Sequence, residues 1–211
     1  MYNLPYFKEG DQEVVLEFMR KHPFVFLTGV NEESKPVATQ VPVFIDERDG
    51  KLFLTGHIMR NNDHHKAFEK NPNVLAVFTG PHVYVSATWY DDPHQASTWN
   101  YMSVHARGTL RFLDQQGLEN ALRKLTLHYE KNNTHSPTVF DNLSEDYRSK
   151  MMKSIVAFEI EVDSIEPVFK LSQNRDKESY GHIIGHLEKQ EGDAQRIAEE
   201  MKKRSSQLFN E

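Results

Sequence analysis

The stretch that decides the fold is residues 37–45, which read VATQVPVFI. Every second residue in it is β-branched, and a period of two is typical of a strand with one buried face. These residues are Val37, Thr39, Val41, Val43 and Ile45. Pro42 has no N–H to give to a neighbouring strand. We therefore expect this strand at a sheet edge or with a bulge, where a ligand can reach unpaired backbone groups.

Strand patterns continue on both sides of this stretch. Asp49-Gly50 predicts a hairpin, and Gly108 is expected to interrupt a long later strand. The predicted strands cover residues 24–30, 37–45, 51–57, 74–78, 83–88, 101–113 and 155–165. The last one alternates between an apolar side and a more polar side. With six helical segments, including one that begins at Asp11 and one over residues 60–70, these strands predict an α+β protein. Its architecture is expected to be a closed or nearly closed antiparallel β-barrel with peripheral helices.

Composition limits the class of protein. The 211 residues suit a barrel domain over 1–175 with a helical extension over 176–211. The 25 basic and 31 acidic residues give a net charge of −6, which argues against a broad phosphate-backbone footprint on DNA. The absence of cysteine excludes disulfides, thiolate catalysis and Cys-ligated zinc. No targeting or membrane-spanning segment is predicted, so we expect a cytoplasmic protein with no membrane partner.

Two polar-aromatic clusters predict a ligand pocket. The first covers residues 80–101 and contains both tryptophans, Trp89 and Trp99, among Tyr, His and Asn residues. The second is residues 170–175, which read KLSQNR. Aromatic side chains that also carry hydrogen-bonding groups suit a site that stacks a planar ligand and binds its polar edge.

Two cationic groups predict that this ligand carries a phosphate. Residues 56–62 close a strand and open a helix, which brings backbone N–H groups and the Arg60 guanidinium to a helix start. Lys170, Ser172 and Arg175 supply a second cationic and hydroxyl-bearing group directly after a strand. Either group alone is equally well explained by solvated residues at element ends. Together with the aromatic clusters they indicate a phosphorylated planar ligand.

Other site types have weaker support. His182 and His186 have the i,i+4 spacing of zinc ligands, but Ile183 stands where a metalloprotease has its Glu, so we expect no metal. No serine lies in a Gly-x-Ser-x-Gly motif, and Asp91-Asp92 fit a solvated turn. We therefore name no catalytic residue.

At these residues the chain resembles a known family, the PaiB-type FMN-binding negative transcriptional regulators. This is a branch of the FMN-binding split-barrel proteins related to pyridoxamine-phosphate oxidase. The residues that carry the resemblance are Met1-Tyr2, Pro5, Phe7, 38–42, 55–58, Arg60, Asn61, 78–86, Trp89-Tyr90, 98–101, Val104-His105 and 170–175.

The resemblance implies a homodimer of six-stranded split barrels with FMN at the subunit interface. It implies that the isoalloxazine lies against Thr39, Gln40, Val41 and Pro42, and that the phosphate or ribityl chain faces His57, Arg60 and Asn61. It also implies a pocket closed, from either subunit, by Trp99, Asn100, Tyr101, Lys170, Ser172, Gln173, Asn174 and Arg175.

Three classes of function remain open at this stage. The resemblance favours a repressor of transcription, of protease production and sporulation by family likeness, that contacts DNA or a partner regulator. The alternatives are an FMN-dependent reductase or oxidase of a small substrate, and a flavin- or haem-binding storage or sensor module. No helix-turn-helix or basic recognition helix is evident, and Lys202-Lys203-Arg204 is the best candidate for a DNA contact.

Overall fold

The computed structural model describes residues 2, 4–92 and 94–209, so Met1 of the resemblance lies outside the described residues. The helices are α1 (Gln12–Lys21), α2 (Asp63–Lys70), α3 (Gln115–Tyr129), α4 (Glu145–Ser154), α5 (Lys177–Leu187) and α6 (Asp193–Phe209). The strands are β1 (Phe24–Val30), β2 (Pro36–Pro42), β3 (Phe44–Arg48), β4 (Lys51–Met59), β5 (Asn73–Val85), β6 (Thr98–Phe112) and β7 (Ile155–Lys170). Over this part of the chain, seven strands and six α-helices confirm the α+β class.

Two compact units make up the chain. The first unit takes the described residues of Met1–His22, Phe78–His105 and Glu166–Glu211, and the second takes Pro23–Val77 and Ala106–Ile165. Strands β5, β6 and β7 contribute residues to both units. The division into 1–175 and 176–211 stays a prediction.

The strand order explains the barrel. It runs β2-β1-β5-β6-β7-β4-β3, and every one of these strands has residues in the second unit. The pairs β1–β2, β1–β5, β3–β4 and β4–β7 are antiparallel. The end strands β2 and β3 are separated in the chain by Val43 alone. The ends of the two edge strands therefore lie side by side at Val43, so the sheet must curl as it does in a split barrel. The predicted split-barrel class is confirmed.

The stretch 37–45 corrects one prediction and confirms another. It forms two strands rather than one, because the Val43 N–H donates to the Pro23 carbonyl oxygen at 2.9 Å and the chain then pairs with β4. The sheet consequently has seven strands where the resemblance implied six. Pro42 ends β2, and β2 is an edge strand, as the missing N–H of Pro42 requires.

Gly108 does not interrupt its strand, so that prediction was wrong. Strand β6 runs unbroken over Gly108. A β-carbon at this position would lie 2.2 Å from the Glu161 carbonyl oxygen of β7. The glycine therefore permits a close approach of two backbones instead of ending a strand.

Both sides of β7 are buried over its first six residues, although the sequence predicted one apolar side and one more polar side. Helix α3 causes this, because its Leu118 and Leu122 pack with Phe140 against Ile155 and Ala157. The second unit therefore has a helical layer on the side of β7 that was expected to be polar.

The helices of the first unit follow local signals. Asp11 caps α1 by accepting hydrogen bonds from the Glu13 and Val14 backbone N–H groups, as predicted. Helices α5 and α6 pack through buried Ile183, Leu187 and Ile197. No helix in the described ranges is both long and apolar enough to cross a membrane.

Candidate functional site

Strand β2 presents its two faces differently. Val41 is buried and Thr39 is partly buried, whereas Gln40 is exposed. Gln40 lies opposite Phe26, and Pro42 lies opposite Phe24. These two phenylalanines are 45% and 57% exposed, so the outer face of the β1–β2 pair is an open apolar surface. Among the residues predicted on β2, Gln40 and Pro42 can offer side chains on this face, whereas Thr39 and Val41 can offer only backbone groups.

Strand β4 passes directly beside the end of β2. A β-carbon at Gly56 would lie 2.9 Å from the Pro42 carbonyl oxygen and 2.7 Å from the Phe158 ring. Only glycine leaves space for this approach. The second unit therefore brings together two predicted segments, residues 39–42 and residues 57–61.

His57 occupies the next position on β4. It lies opposite Ala157 of β7 and is partly buried. Burial lowers the pKa of His57 below its usual value, because the charged imidazolium loses hydration. The ring is consequently neutral near pH 7 and can both donate and accept a hydrogen bond.

Arg60 and Asn61 form the connection from β4 to α2. The Arg60 Nε donates to the Ile155 carbonyl oxygen at 2.9 Å, which anchors the guanidinium. Asn61 adopts a left-handed conformation with φ 67°, and its N–H donates to His65 Nδ1 at 3.3 Å. His65 is buried, and its Nε2 has no hydrogen-bond partner. This turn therefore holds a guanidinium, an amide and an imidazole close together at the start of a helix.

A cleft of about 540 Å³ in the second unit has Arg60 in its wall. Arg148 and Lys153 of α4 line the same cleft, and Arg148 lies 5.4 Å from the Phe140 ring centre. Asp114 also lines it, but its carboxylate already caps α3 by accepting from the Gly117 N–H. The sequence analysis missed Arg148 and Lys153. No local signal could have found them, because α4 lies about ninety residues after Arg60 in the chain.

The other predicted residues meet in the first unit. Lys170 Nζ donates to the Thr98 hydroxyl, and to the Trp99 carbonyl oxygen at 2.7 Å. Ser172 Oγ donates to the buried Asn100 Oδ1 at 3.0 Å. The late KLSQNR segment and the start of β6 therefore converge within one chain, whereas the resemblance left open which subunit contributes each of them.

Aromatic residues lie around the place where residues 170–175 meet the start of β6. Trp99 is 53% exposed, and its ring lies 6.0 Å from Tyr84 and 6.1 Å from His82. Burial, and to a lesser extent Tyr2, raise the pKa of Tyr101. Tyr101 therefore stays protonated and can donate a hydrogen bond.

The rest of the KLSQNR segment is held by local contacts and by Tyr90. Gln173 Oε1 accepts from the Leu171 N–H at 2.7 Å, and Asn174 is exposed. The Arg175 guanidinium lies 4.1 Å from the Tyr90 ring centre, and its Nη1 donates to Gln95 Oε1. Tyr90 was part of the resemblance but not of the predicted site.

His186, one of the two histidines with the spacing of zinc ligands, takes part in packing. His186 stacks on Trp89 at 4.8 Å with an interplanar angle of 7°. Within the described ranges, no cluster of three or more His, Asp or Glu side chains could hold a metal ion. The predicted site residues thus form two groups, one in each unit. The group of the second unit contains Thr39 to Pro42, His57, Arg60 and Asn61. The group of the first unit contains Trp99 to Tyr101, Lys170 and Ser172 to Arg175.

Comparisons with known proteins bear on the same segments. A family model described as "Putative FMN-binding domain" matches residues 1–164. The chain is 34% identical over 202 residues to the protease synthase and sporulation protein PAI 2 of Bacillus subtilis (strain 168), which covers 95% of this chain and 96% of that protein.

Two solved structures share the fold. The flavocytochrome Anf3 of Azotobacter vinelandii has a TM-score of 0.56 at 13% identity, over 80% of this chain and 72% of that one. The FAD and heme binding protein of Mycobacterium smegmatis has a TM-score of 0.54 at 16% identity, over 78% and 73% of the two chains.

Proposed function

Because the chain belongs to this family of FMN-binding domains, we propose that it is a flavin-binding split-barrel regulator of the PaiB type. It acts as a negative regulator of transcription, in the cytoplasm and as a homodimer. Protease production and sporulation are the processes that its resemblance to PAI 2 suggests. The observation that best supports flavin binding is the close approach of Gly56 to the Pro42 carbonyl oxygen, because residues 39–42 and residues 57–61 are then neighbours in the second unit.

The residues of the second unit suit FMN. Segment 39–42 lies on an edge strand, where a planar ring can meet open backbone groups and the Gln40 amide. Arg60 and Asn61 supply donors for a phosphate. Arg148 and Lys153 line the same cleft as Arg60, together with the carboxylates of Asp114, Glu119 and Glu145. When bound, FMN supplies one- and two-electron redox chemistry, while these residues orient it and set its electrostatic environment.

The homodimer has support in the exposed face of β1. Phe24 and Phe26 leave a pair of large apolar rings in water beside Gln40 and Pro42. A second copy of the chain would cover them, since surfaces of this kind mark interfaces. Phe26→Lys should convert a dimer into a monomer in sedimentation or light scattering, whereas Tyr129→Lys, at an exposed ring on α3, should not. A monomeric wild-type protein would reject the dimer.

Regulation of transcription through a partner protein is favoured over direct DNA contact. The net charge of −6 opposes binding to a polyanion. Lys202, Lys203 and Arg204 are the basic run of α6, yet each has a carboxylate partner, namely Glu188, Glu200 and Glu9. A promoter fragment should therefore show no shift at low ionic strength with the protein alone. A salt-sensitive shift would establish direct contact instead.

Flavin binding is tested by titration. The protein should quench FMN fluorescence saturably, and Arg60→Gln should weaken FMN binding by about tenfold to a hundredfold, the usual effect of a charge-assisted hydrogen bond. Riboflavin, which lacks the phosphate, should bind wild type and Arg60→Gln equally. Arg196→Gln is the matched control, because the Arg196 side chain on α6 is 70% exposed. Unquenched FMN at high protein concentration would reject the flavin site. With FMN bound, absence of NAD(P)H oxidation separates a regulator from a reductase.

A further inference from the structure

We propose that the end of β7 carries a second ligand site, in which Lys170 and Arg175 bind a phosphate-type dianion of a small molecule other than the flavin. This site lies entirely in the first unit. Neither its cations nor its ligand is needed for the flavin contacts of the second unit.

Lys170 is a buried cation whose hydrogen-bond acceptors are neutral. It is only 8% exposed, and its ammonium donates to the Thr98 hydroxyl and the Trp99 carbonyl oxygen. The rings of Tyr2 and Phe7 lie 5.6 Å and 5.8 Å from Nζ. An ammonium has three donors, so two protein acceptors leave one for a ligand.

Arg175 adds a second positive charge on the same segment: its guanidinium contacts Gln95 and Tyr90, whereas Lys170 contacts Thr98 and Trp99 further along the same stretch. Burial and, secondarily, the charge of Arg175 lower the pKa of Lys170, so the two cations interact unfavourably. Arg175 Nε is a buried donor without a partner, and so is the hydroxyl of Tyr90, the ring on which the guanidinium lies. Tyr90 itself is 4% exposed. Buried polar atoms without partners are uncommon in folded proteins and call for a specific explanation.

Two other charges that are little exposed, Glu159 and Arg204, are compensated by side chains of opposite sign. Arg204, also in the first unit and 15% exposed, pairs with both Glu9 and Glu200. Asp176, the residue after Arg175, is occupied as the cap of α5, because its carboxylate accepts the Ser179 N–H at 2.8 Å. An uncompensated pair of partly buried cations is costly. A bound dianion would offset that cost and give Arg175 Nε and the third Lys170 donor their partners.

The flavin phosphate is not the ligand of this pair. FMN has one phosphate, and, resting on the function proposed above, that phosphate belongs to Arg60 and Asn61 of the second unit. A second dianion is then required for Lys170 and Arg175. Lys and Arg together, with the Thr98 and Ser172 hydroxyls nearby, form the donor set typical of a phosphate ester site.

Inorganic phosphate is the first probe. At constant ionic strength, calorimetric titration of the flavin-free protein should show saturable binding, which Lys170→Gln and Arg175→Gln each weaken at least tenfold. Lys203→Gln, which removes an exposed charge in the same unit, should leave binding unchanged. Arg175→Gln carries the test if Lys170→Gln fails to fold. Acetate should bind more weakly than phosphate, since a monoanion compensates only one of the two cations.

The ratio of FMN to riboflavin affinity separates the two sites. Lys170→Gln should leave this ratio unchanged, whereas Arg60→Gln should reduce it towards one. The proposal is overturned if phosphate does not bind, if the three variants bind it equally, if acetate binds as well as phosphate, or if Lys170→Gln removes the FMN preference. Failure of FMN to bind would reject the flavin site, but the phosphate titration of the flavin-free protein would still test the site at Lys170 and Arg175.

Discussion

Glu159 Oε1 accepts two hydrogen bonds from Arg111, from Nη2 at 2.6 Å and from Nε at 3.2 Å. The Glu159 side chain is only 8% exposed, and its other oxygen is bound by Arg48. Strands β3, β6 and β7 are thereby tied together by one carboxylate on the side of β7 that the sequence predicted to be polar.

Glu159→Gln should lower the free energy of unfolding by about 1–3 kcal/mol, because the neutral amide cannot accept from both guanidinium groups as strongly. Denaturant unfolding measures the change. Glu161→Gln is the matched control, since the Lys51–Glu161 pair is exposed and such pairs contribute little. Equal effects of the two substitutions would contradict the role given to Glu159.

Gly56→Ala should destabilise the protein by about 1–3 kcal/mol, because the added carbon would press on the Pro42 carbonyl oxygen and the Phe158 ring. The same substitution at Gly185, where nothing lies within 4 Å, should stabilise helix α5 by about 0.5–1 kcal/mol. Thermal melts of the two variants should therefore shift in opposite directions. A neutral Gly56→Ala would mean that β2 and β4 are not so close.

Tyr180→Phe should cost about 0.5–1.5 kcal/mol, because the buried hydroxyl donates to the Met201 carbonyl oxygen at 2.9 Å and so joins α5 to α6. The carbonyl group would lose its partner away from water. Tyr147→Phe, at an exposed ring on α4, should change stability little. Urea unfolding of both variants distinguishes this bond from a general effect of losing a hydroxyl.

His57 should make the folded state less stable in acid. Burial lowers its pKa in the folded protein below the ordinary 6.5. As the pH falls through 6.5, the unfolded chain therefore binds a proton that the folded chain does not, and stability decreases. His57→Gln should lessen the loss of stability between about pH 7 and pH 5. Burial also lowers the pKa of His65, so the stability of the His57→Gln variant should still decrease somewhat as the pH falls.

The control for this pH effect is His94→Gln. The His94 side chain is 92% exposed, so its removal should leave the pH profile of unfolding as it is in the wild type. A His57→Gln profile identical to that of the wild type would show that His57 titrates equally in both states.

Local signals in the sequence were sufficient for local structure. Asp11 caps α1, and Asp49-Gly50 closes the β3–β4 hairpin with positive φ at both residues. In each case the conformation depends on a few neighbouring residues. The same holds for Pro42, whose missing N–H excludes it from the interior of a sheet.

Local sequence signals do not predict contacts between residues that are far apart in the chain. The sequence could not tell that Gly108 admits the β7 backbone rather than breaking a strand, or that α3 buries the second side of β7. Nor could it assign Arg148 and Lys153 to the cleft beside Arg60. Each of these facts depends on residues about thirty to ninety positions away.

The sequence by itself determined the cap of α1, the β3–β4 hairpin, the edge position of β2 and the side-chain types from which a planar, phosphorylated ligand was inferred, because these follow from local backbone preferences and side-chain chemistry. Only the tertiary structure decided which of these residues meet. It divided them into a group at Gly56 and Arg60 and a group at Lys170 and Arg175. In the described part of the chain, no carboxylate forms an ion pair with Lys170 or Arg175. Burial and charge compensation are properties of the packed chain, and no stretch of sequence contains them alone.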